Sequence, residues 1–382
     1  MSIKNNTYYK KVGFIITSPS WGGLEINVLK LARLLVERHW EVLLFLIKGS
    51  MIALEANMVF KQIYYIEKHK KYFDIPEALK FSRLLKKHQI NTLLAFDNRD
   101  LDFVYFTKLF CPNRLNVIYQ QQMQIGVNKK DFIHTLRFSA IDHWIAPLEL
   151  LKNEVINKTK LNPDKIKVIP LSTDVNKFVH PLYTKTEARN KLQLKHSAFI
   201  IGIIGRIDPK KGQLFLIKAV HLLREKNQNI ELLIVGEPTV GEVESKRYMA
   251  ELKKYVSQHQ LSEFIQFRHF TKDVSLFYNA IDLFVLASEG ETFGMVTIEA
   301  MLSGVPIIAT NTVGTPEILN NGELGHLYKP NDIAGFCDSI KSVLSNPNKA
   351  KEMAKNAQKK AIEEYSQDTE CKRIEELLNA EL

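Results

Sequence analysis

Arg206 and Lys211 are the first residues whose types and spacing indicate chemistry. They belong to the loop Gly205-Arg206-Ile207-Asp208-Pro209-Lys210-Lys211-Gly212, between a predicted strand and a predicted helix. Cations at the start of a helix oppose its dipole, so they cost stability unless an anion binds there. Arginine offers a planar pair of donors for phosphate oxygens, and lysine offers a point charge. We interpret the loop as a pyrophosphate clamp; a solvated basic turn is the alternative.

A second candidate site contains Glu291 and Glu299, which flank a glycine-bracketed turn. The turn ends at Gly294, where a helix predicted over 295–301 begins. The first amides of a helix have no partner within it and can bind an anion. A carboxylate one turn further along can accept hydrogen bonds from two adjacent hydroxyls, as acidic residues do on ribose. Either glutamate alone would be a surface charge, but together with this turn they indicate a ligand site.

A third candidate is the pair Gly22-Gly23, between the first predicted strand and the first predicted helix. Two glycines there let backbone amides approach a ligand closely. A plain tight turn would also explain them. The spacing G-x-G-x-x-G is absent at this position, so the pair is not a dinucleotide-binding fingerprint.

The candidate residues follow predicted strands in a chain that alternates strands with helices. Short apolar runs predict strands over 12–17, 41–47, 92–96, 116–119, 143–146, 167–170, 199–204, 231–235, 264–267, 283–286 and 306–309. Segments with helical spacing lie between most of them, and this alternation predicts parallel, doubly wound sheets. Ligands of such sheets bind beyond the carboxyl ends of the strands, which is where the candidate residues lie.

Composition and charge narrow the class of protein. The 382 residues are 45% hydrophobic and 25% charged, which excludes a disordered or disulfide-framework protein. Of the net charge of +10, residues 1–170 carry +11 (26 Lys and Arg against 15 Asp and Glu), and the remaining residues carry −1. A basic half suggests an anionic partner. Without a zinc finger or an RNP motif, we expect no nucleic acid.

The cysteines and apolar runs indicate the compartment. Cys111, Cys337 and Cys371 are isolated, which is typical of thiols in a reducing cytoplasm. The apolar runs are about six residues long, well short of the ~20 residues that a membrane span needs. The N-terminus lacks the apolar stretch of a signal peptide. We therefore expect a cytoplasmic location.

The segment from Glu291 to Glu299 matches an E-x7-E motif. With Gly205-Arg206, Lys211-Gly212, Val235-Gly236 and Gly314-Thr315-Pro316-Glu317, it resembles the retaining glycosyltransferases of the GT-B fold, family 4, also called glycosyl transferases group 1. The resemblance covers roughly residues 199–330. Residues before 199 resemble the family more loosely.

The resemblance implies a fold and domain boundaries. The expected fold is α/β, with two Rossmann-like doubly wound parallel-sheet domains that face a central cleft. The expected domains are an acceptor-side domain over 1–172, a linker over 173–197 and a donor-binding domain over 198–365. A C-terminal helix over 366–382 is expected to cross back to the N-terminal domain.

The resemblance also implies site residues. Arg206, Lys211 and Glu291 would be catalytic, the cations on the pyrophosphate and the glutamate on the transferred sugar. Glu299 would bind the nucleotide ribose. The expected donor-binding residues are Gly22, Gly23, Gly205, Gly236, Thr271, Phe293, Gly294, Met295, Val296 and Glu299. The family commonly has a histidine where this sequence has Gln120-Gln121-Gln122, so Gln121 is a candidate sugar or acceptor contact.

The implied activity is transfer of a hexose-type sugar from a nucleoside-diphosphate sugar to a hydroxyl of a glycan or lipid-linked acceptor. It would retain anomeric configuration, need no metal or other cofactor, and serve bacterial surface polysaccharide or glycolipid synthesis. Basic segments over 61–73 and 80–87 contain aromatic or leucine residues, so peripheral binding to an anionic membrane surface is a further expectation. The alternatives are a nucleotide-sugar epimerase or phosphorylase on the same fold, and a catalytically silent nucleotide-sugar binding protein.

Overall fold

The chain forms two compact units in a computed structural model. Unit 1 comprises Met1–Leu171 and Gln367–Leu382, and unit 2 comprises Ser172–Ser366. The structure describes residues 10–70, 73–111, 114–225, 229–239, 242–270 and 273–380.

Unit 1 alternates strands and helices along the chain. Its strands are β1 (Lys11–Ile16), β2 (Glu41–Ile47), β3 (Ile63–Ile66), β4 (Thr92–Ala95), β5 (Asn116–Gln120), β6 (His143–Ala146) and β7 (Ile166–Val168). Its helices up to residue 171 are α1 (Gly23–Glu37), α2 (Met51–Asn57), α3 (Ile75–Lys87), α4 (Leu101–Phe110), α5 (Phe132–Ser139) and α6 (Glu149–Lys158).

The strands of unit 1 form a parallel sheet in the order β3-β2-β1-β4-β5-β6-β7. β1 and β2 are apolar along nearly their whole length because helices cover both faces of the sheet. β1 pairs with β2 on one side and with β4 on the other, so the strand order reverses between β1 and β4. The crevice at such a reversal is where ligands bind in open α/β sheets.

Unit 2 repeats this plan. Its strands are β8 (Phe199–Ile204), β9 (Ile230–Val235), β10 (Ile265–Arg268), β11 (Leu283–Leu286), β12 (Ile307–Thr310) and β13 (His326–Tyr328). Its helices are α7 (Asn176–Val179), α8 (Lys185–Leu192), α9 (Gln213–Glu225), α10 (Val243–Gln258), α11 (Ser275–Ala280), α12 (Met295–Leu302), α13 (Thr315–Ile318), α14 (Ile333–Ser345) and α15 (Pro347–Glu364).

The strands of unit 2 form a parallel sheet in the order β10-β9-β8-β11-β12-β13, which reverses between β8 and β11. Buried side chains of β8, β9 and β11 pack with those of α9, α10 and α14 in one hydrophobic core. The two doubly wound parallel-sheet domains that the sequence predicted are therefore confirmed.

The last helix, α16 (Gln367–Asn379), packs on unit 1 although it follows unit 2 in the chain. Its apolar side chains Ile374 and Leu378 lie in the core of unit 1. Glu375 accepts hydrogen bonds from Arg38 at 2.7 Å and from the Trp40 indole nitrogen at 2.9 Å. The expected return of the C-terminal helix to the N-terminal domain is thus observed.

The segment 173–197, predicted as a linker, belongs to unit 2 and contains α7 and α8. Thr184 and Glu187 form a reciprocal capping box at the start of α8. Arg189 then fastens α8 to the end of α11 and the segment between α11 and β11, donating to the Ala280 carbonyl at 2.9 Å and to Asp282 at 2.6 Å. The polar composition that suggested a linker is that of two short helices of unit 2, of which α8 is capped. None of the helices described is long and apolar enough to cross a membrane.

Candidate functional site

The predicted clamp and the E-x7-E segment meet at the carboxyl edge of the second sheet. Lys211 ends the short 3-10 turn Pro209–Lys211 after β8, and Glu291 lies in the loop after β11. The Lys211 Nζ donates a hydrogen bond to Glu291 Oε2 at 2.6 Å. Both side chains are largely but not fully buried, 27% and 21% exposed. A ligand can therefore reach this ion pair. The two residues are 80 positions apart in the sequence and are brought together by the fold.

Close backbone packing holds the clamp loop against the neighbouring strand ends. Gly212 has φ +75°, and a Cβ there would lie 2.2 Å from the Ala287 carbonyl oxygen. A Cβ at Gly236 would lie 1.9 Å from the Gly205 carbonyl oxygen. Side chains cannot occupy such gaps, so only glycine permits this approach. Gly205 and Gly236, which the sequence assigned to donor binding, lie at the ends of adjacent strands. Their close approach shows a structural role for Gly236 in shaping these loops.

Arg206 supplies a second cation to the same edge. Its side chain is exposed, and its guanidinium makes no hydrogen bond or ion pair with the residues that the structure describes. The loop backbone beside it is fixed, because Gln213 Nε2 donates to the Arg206 carbonyl at 2.8 Å. Arg206 is therefore a cation on a held backbone that is available to an anionic ligand, whereas Lys211 already binds Glu291.

The start of α12 presents free backbone amides. Gly294 is the N-cap residue in the left-handed conformation, with φ 69° and ψ 60°. The first amide bonded back to it is that of Thr297, at 2.8 Å, so the amides of Met295 and Val296 precede the hydrogen-bond ladder of the helix. Phe293 is buried and its ring packs edge-on against Tyr365 at 6.0 Å. The Phe293 side chain therefore anchors this turn in the interior of unit 2.

Glu299 lies one turn into α12, in contact with Tyr278 of α11. The Tyr278 hydroxyl is 3.0 Å from Glu299 Oε2 and 2.9 Å from the Val296 carbonyl oxygen. Burial raises the pKa of Glu299 to about 7, and the Tyr278 hydrogen bond and the charge of Lys177 oppose this rise. Near neutral pH the carboxyl is therefore present in both protonation states.

The Tyr278 hydroxyl has one hydrogen and two acceptors within reach. When Glu299 is ionised, that hydrogen can satisfy either the carboxylate or the Val296 carbonyl. When Glu299 is protonated, its own hydrogen can go to the Tyr278 oxygen, and the tyrosine then donates to Val296. Burial raises the pKa of Tyr278 well above its ordinary value, so the phenol stays neutral. The sequence analysis missed Tyr278, since nothing in the pattern around residues 275–280 marks it.

Thr271 is the remaining predicted donor-binding residue of unit 2. Thr271 lies outside the described residues, and its neighbour Phe270 is exposed. Among the residues described, no three His, Cys, Asp or Glu side chains are grouped in a way that could hold a metal ion.

Gly22 and Gly23 begin α1 at the carboxyl edge of the first sheet, as predicted. Gly22 has φ −171°, which any residue adopts, and a Cβ at Gly23 would meet nothing within 4 Å. A Cβ at Gly22 would lie 3.7 Å from Glu25 Oε2, so a buried carboxylate is already next to this helix start. The fold itself does not require glycine at either position.

Gln121, the predicted sugar or acceptor contact, is fully engaged within unit 1. Its Nε2 donates to the Met123 carbonyl at 2.8 Å, and its Oε1 accepts from the Trp144 indole nitrogen at 2.9 Å. Gln121 is only 1% exposed. The structure therefore does not support a ligand contact for Gln121. The neighbouring Gln122 has a buried Nε2 without a partner among the described residues.

A cluster that the sequence analysis missed joins three loops at the same edge of unit 1. Asp100 is fully buried and accepts from the Thr17 amide at 3.0 Å, from the Thr17 hydroxyl and from His69 Nε2 at 2.9 Å. The other His69 nitrogen faces the Lys70 carbonyl at 3.0 Å. Burial opposes protonation of His69, but the hydrogen bond to Asp100 raises its pKa above the ordinary value. The cluster ties together the segments after β1, β3 and β4.

Two doubly wound parallel sheets, with a C-terminal helix returning to the first, define the GT-B fold. The glycosyltransferase from Rickettsia africae ESF-5 superposes with a TM-score of 0.85 over 98% of this chain and 99% of that chain, at 20% identity. Anabaena Alr3699/HepE, solved in complex with UDP and glucose, superposes with a TM-score of 0.78 over 97% of this chain and 100% of that chain, at 21% identity.

Residues 184–360 match the family model described as Glycosyl transferases group 1. The capsular polysaccharide biosynthesis glycosyltransferase CapM of Staphylococcus aureus is 27% identical over 62% of this chain and 60% of its own length. A D-inositol 3-phosphate glycosyltransferase of Corynebacterium urealyticum is 30% identical over 56% of this chain and 50% of its own length. The chain thus spans between half and about 60% of these curated relatives. The match over residues 184–360 confirms the expected resemblance to glycosyl transferases group 1 in that part of the chain.

Proposed function

We propose that this protein is a glycosyltransferase that uses a nucleoside-diphosphate sugar as donor. The observation that carries the proposal is the pairing of Lys211 with Glu291, beside Arg206 and the free amides at the start of α12, in a segment of the group 1 family. Cations and helix amides together provide the environment that a pyrophosphate needs. The adjacent carboxylates provide acceptors for the hydroxyls of a sugar and a ribose.

Each group has a proposed role on the donor. Arg206, Lys211 and the amides of Met295 and Val296 bind the pyrophosphate, and Glu291 contacts the hydroxyls of the transferred sugar. Glu291 neutralises Lys211 across 2.6 Å. In the proposed complex this pair lies where the sugar joins the phosphate.

The base end of the donor involves other residues. Glu299 accepts from the ribose hydroxyls, and Gly236 with the 270–271 segment flanks the base. Gly22 and Gly23 are proposed to contribute backbone amides to the phosphates. The main chain of Gly205 and of the turn from Phe293 to Gly294 positions the groups that touch the donor.

The proposed chemistry follows from the charge that develops as the bond between sugar and phosphate breaks. The leaving diphosphate becomes more negative, and preorganised cations and amides stabilise it without reorganisation. We propose that these groups take the role of a metal ion, so that none is required. In the proposed front-face displacement the acceptor hydroxyl attacks the anomeric carbon from the side of the departing diphosphate. The diphosphate takes the hydroxyl proton, and anomeric configuration is retained.

Release of nucleoside diphosphate with and without acceptor tests the activity. A transferase releases the diphosphate quickly only when an acceptor is present, and the product keeps the anomeric configuration of the donor. An epimerase would instead form a new sugar nucleotide, a phosphorylase would require inorganic phosphate, and a silent binding protein would do none of these. Chelation with EDTA is expected to leave the transfer rate unchanged, which tests the absence of a required metal.

The proposed acceptor is a glycan or a lipid-linked glycan in bacterial surface polysaccharide or glycolipid synthesis. The name of the Staphylococcus aureus relative, a capsular polysaccharide biosynthesis glycosyltransferase, supports a role in surface polysaccharide synthesis. Residues 1–170 carry +11, so we further propose a cytoplasmic enzyme that binds reversibly to an anionic membrane surface. Co-sedimentation with anionic vesicles that weakens as salt rises supports this location. Equal binding to neutral and anionic vesicles, or no binding, contradicts it.

A further inference from the structure

An apolar pocket of about 100 Å³ lies in unit 1, between the first turns of α4 and α5. Asp102 and Arg137 are its charged lining residues, and the others are Phe73, Tyr105, Phe106, Phe132, Ile133 and Leu136. α4 follows β4 and α5 follows β5. The pocket therefore lies at the carboxyl edge of the sheet, on the side where sheets of this kind bind their ligands.

Large apolar side chains are exposed to solvent at the rim of the pocket. Phe132, Ile133 and Phe73 are 78%, 50% and 64% exposed, and all three line the pocket. Apolar side chains grouped at the mouth of a cavity mark a place where another apolar group binds. The volume is well below the ~300 Å³ of a site that encloses a drug-sized ligand. The pocket therefore fits one hydrocarbon segment whose remainder lies outside.

Arg137, which lines the pocket, is incompletely paired. Its side chain is only 12% exposed, and its Nε is buried without a hydrogen-bond partner among the described residues. The nearest carboxylate oxygen, on Asp102, lies 3.5 Å from one terminal nitrogen, which is longer than a normal charge-assisted hydrogen bond. A buried donor left unpaired costs free energy, so a side-chain shift that brings this donor to a ligand oxygen would be stabilised.

Lys129, in the segment that leads into α5, makes the surroundings of Arg137 more positive. This lysine is half-buried, and burial together with the charge of Arg137 lowers its pKa, while Glu154 acts in the opposite direction. Two cations that disfavour each other's charge are relieved by an anion bound near both. Asp102 pairs with Arg137, and Glu154 opposes the lowering of the Lys129 pKa but already pairs with Lys158 at 2.7 Å.

We propose that this pocket binds the phosphate-bearing end of a lipid-linked acceptor. The phosphate binds Arg137 and Lys129, and the first carbons of the lipid chain fill the pocket and continue over Phe132 and Ile133. The proposal rests on the proposed function, whose acceptor it narrows to an anionic amphiphile. It also gives a physical reason for aromatic residues exposed on a basic unit.

Binding of octyl phosphate to the full chain tests the pocket, with octan-1-ol and inorganic phosphate as separate probes. Titration calorimetry below the critical micelle concentration is expected to show octyl phosphate binding about tenfold or more tightly than either probe. Arg137→Gln is expected to weaken octyl phosphate binding about tenfold, with octan-1-ol unaffected. Arg83→Gln is the matched control, because it removes an exposed arginine on α3 that is outside the pocket lining.

A second variant keeps the test valid if Arg137→Gln disturbs folding. Phe132→Ser removes an exposed side chain at the rim and is expected to weaken octyl phosphate binding, whereas Leu109→Ser, an exposed control outside the lining, is not. Octyl phosphate binding that neither variant changes, or that inorganic phosphate or octan-1-ol equals, overturns the proposal. Nucleotide-sugar binding is measured on the same samples. If it persists without octyl phosphate binding, only the pocket proposal fails; the reverse result refutes the proposed function.

Discussion

Replacing Glu299 by glutamine should have opposite effects on stability and on nucleotide binding. The variant keeps the size of the side chain and removes its charge. In the folded protein, burial raises the pKa of Glu299 from 4.5 to about 7. Such a rise corresponds to about 3 kcal/mol against the ionised form in the folded state. The folded chain therefore keeps a proton between pH 4.5 and 7 that the unfolded chain releases.

The sign of the stability change follows from that proton. Because the folded state binds it more tightly, the contribution of Glu299 to stability falls as pH rises from 4.5 through about 7. Glu299→Gln removes this loss. The variant should equal the wild type near pH 4 and exceed its free energy of unfolding by up to about 3 kcal/mol at pH 8.

Nucleotide binding should change in the other direction. The ionised carboxylate accepts two ribose hydrogen bonds, and a bond to a charged group contributes about 1.5–3 kcal/mol. Glu299→Gln should therefore weaken binding of the free nucleoside diphosphate about ten- to hundredfold at pH 8. The wild-type affinity should rise between pH 6 and 8, and that of the variant should not.

Thermal unfolding and titration calorimetry from pH 4 to 8 measure both effects. Glu289→Gln is the control, because it removes an exposed carboxylate from the loop that precedes α12 and should change neither quantity. Unaltered diphosphate affinity in Glu299→Gln would refute the ribose role. A variant that loses stability relative to the wild type as pH rises would refute the buried, proton-retaining carboxyl.

The other predictions concern the clamp, its carboxylate and its glycine. Arg206→Ala and Lys211→Ala should each lower turnover about a hundredfold or more with folding intact, because each removes a preorganised cation; near-normal rates in both would exclude the pyrophosphate role. Glu291→Gln should raise the KM for the intact donor and leave free diphosphate affinity within about twofold, since its proposed contact is the sugar. Gly212→Ala should destabilise by more than the ~1–3 kcal/mol of its backbone conformation, because a Cβ would meet the Ala287 carbonyl. Gly49→Ala, at nearly the same φ but in open space, should show the conformational cost alone in chemical denaturation.

The sequence predicted the strands with continuous apolar runs, because those strands are buried on both faces. β1, β2, β8 and β11 are of this kind. Two of the four edge strands, β3 and β13, were not predicted, whereas β7 and β10 were. β3 mixes tyrosines with isoleucines and is only partly buried, so it lacks a continuous apolar run. β13 has three residues and is too short to be recognised as a strand from its apolar residues.

The site shows the same division between local and non-local information. The spacing of Glu291 and Glu299 and the glycines around them are local features, so the sequence was sufficient to select them. The partner of Glu299 is Tyr278, which lies on another helix and becomes a partner only through packing. Gln121 shows the converse, since its bonds to Met123 and Trp144 depend on the folded sheet and engage both its amide nitrogen and its amide oxygen.

Unit 1 has the least specific sequence motifs, and most of its notable features are visible only in the structure. The polar cluster of His69, Asp100 and Thr17 joins loops that are far apart in sequence. The apolar pocket likewise combines residues from α4, α5 and the segment before α3. Such arrangements have no fixed spacing along the chain, so a pattern in one sequence does not reveal them.

The central claim is that unit 2 binds a nucleoside-diphosphate sugar through the Arg206–Lys211 loop. Thermal unfolding of the full chain against a panel of nucleotide sugars, with UDP-glucose among them, tests it most directly. A ligand that binds only the folded state adds about 2.7 kcal/mol of stability at a hundred times its dissociation constant. We expect at least one nucleotide sugar to raise the unfolding temperature in a concentration-dependent way, and the double variant Arg206→Ala, Lys211→Ala to lose that rise. A panel without any rise, or a rise of the same size in the double variant, would contradict the claim.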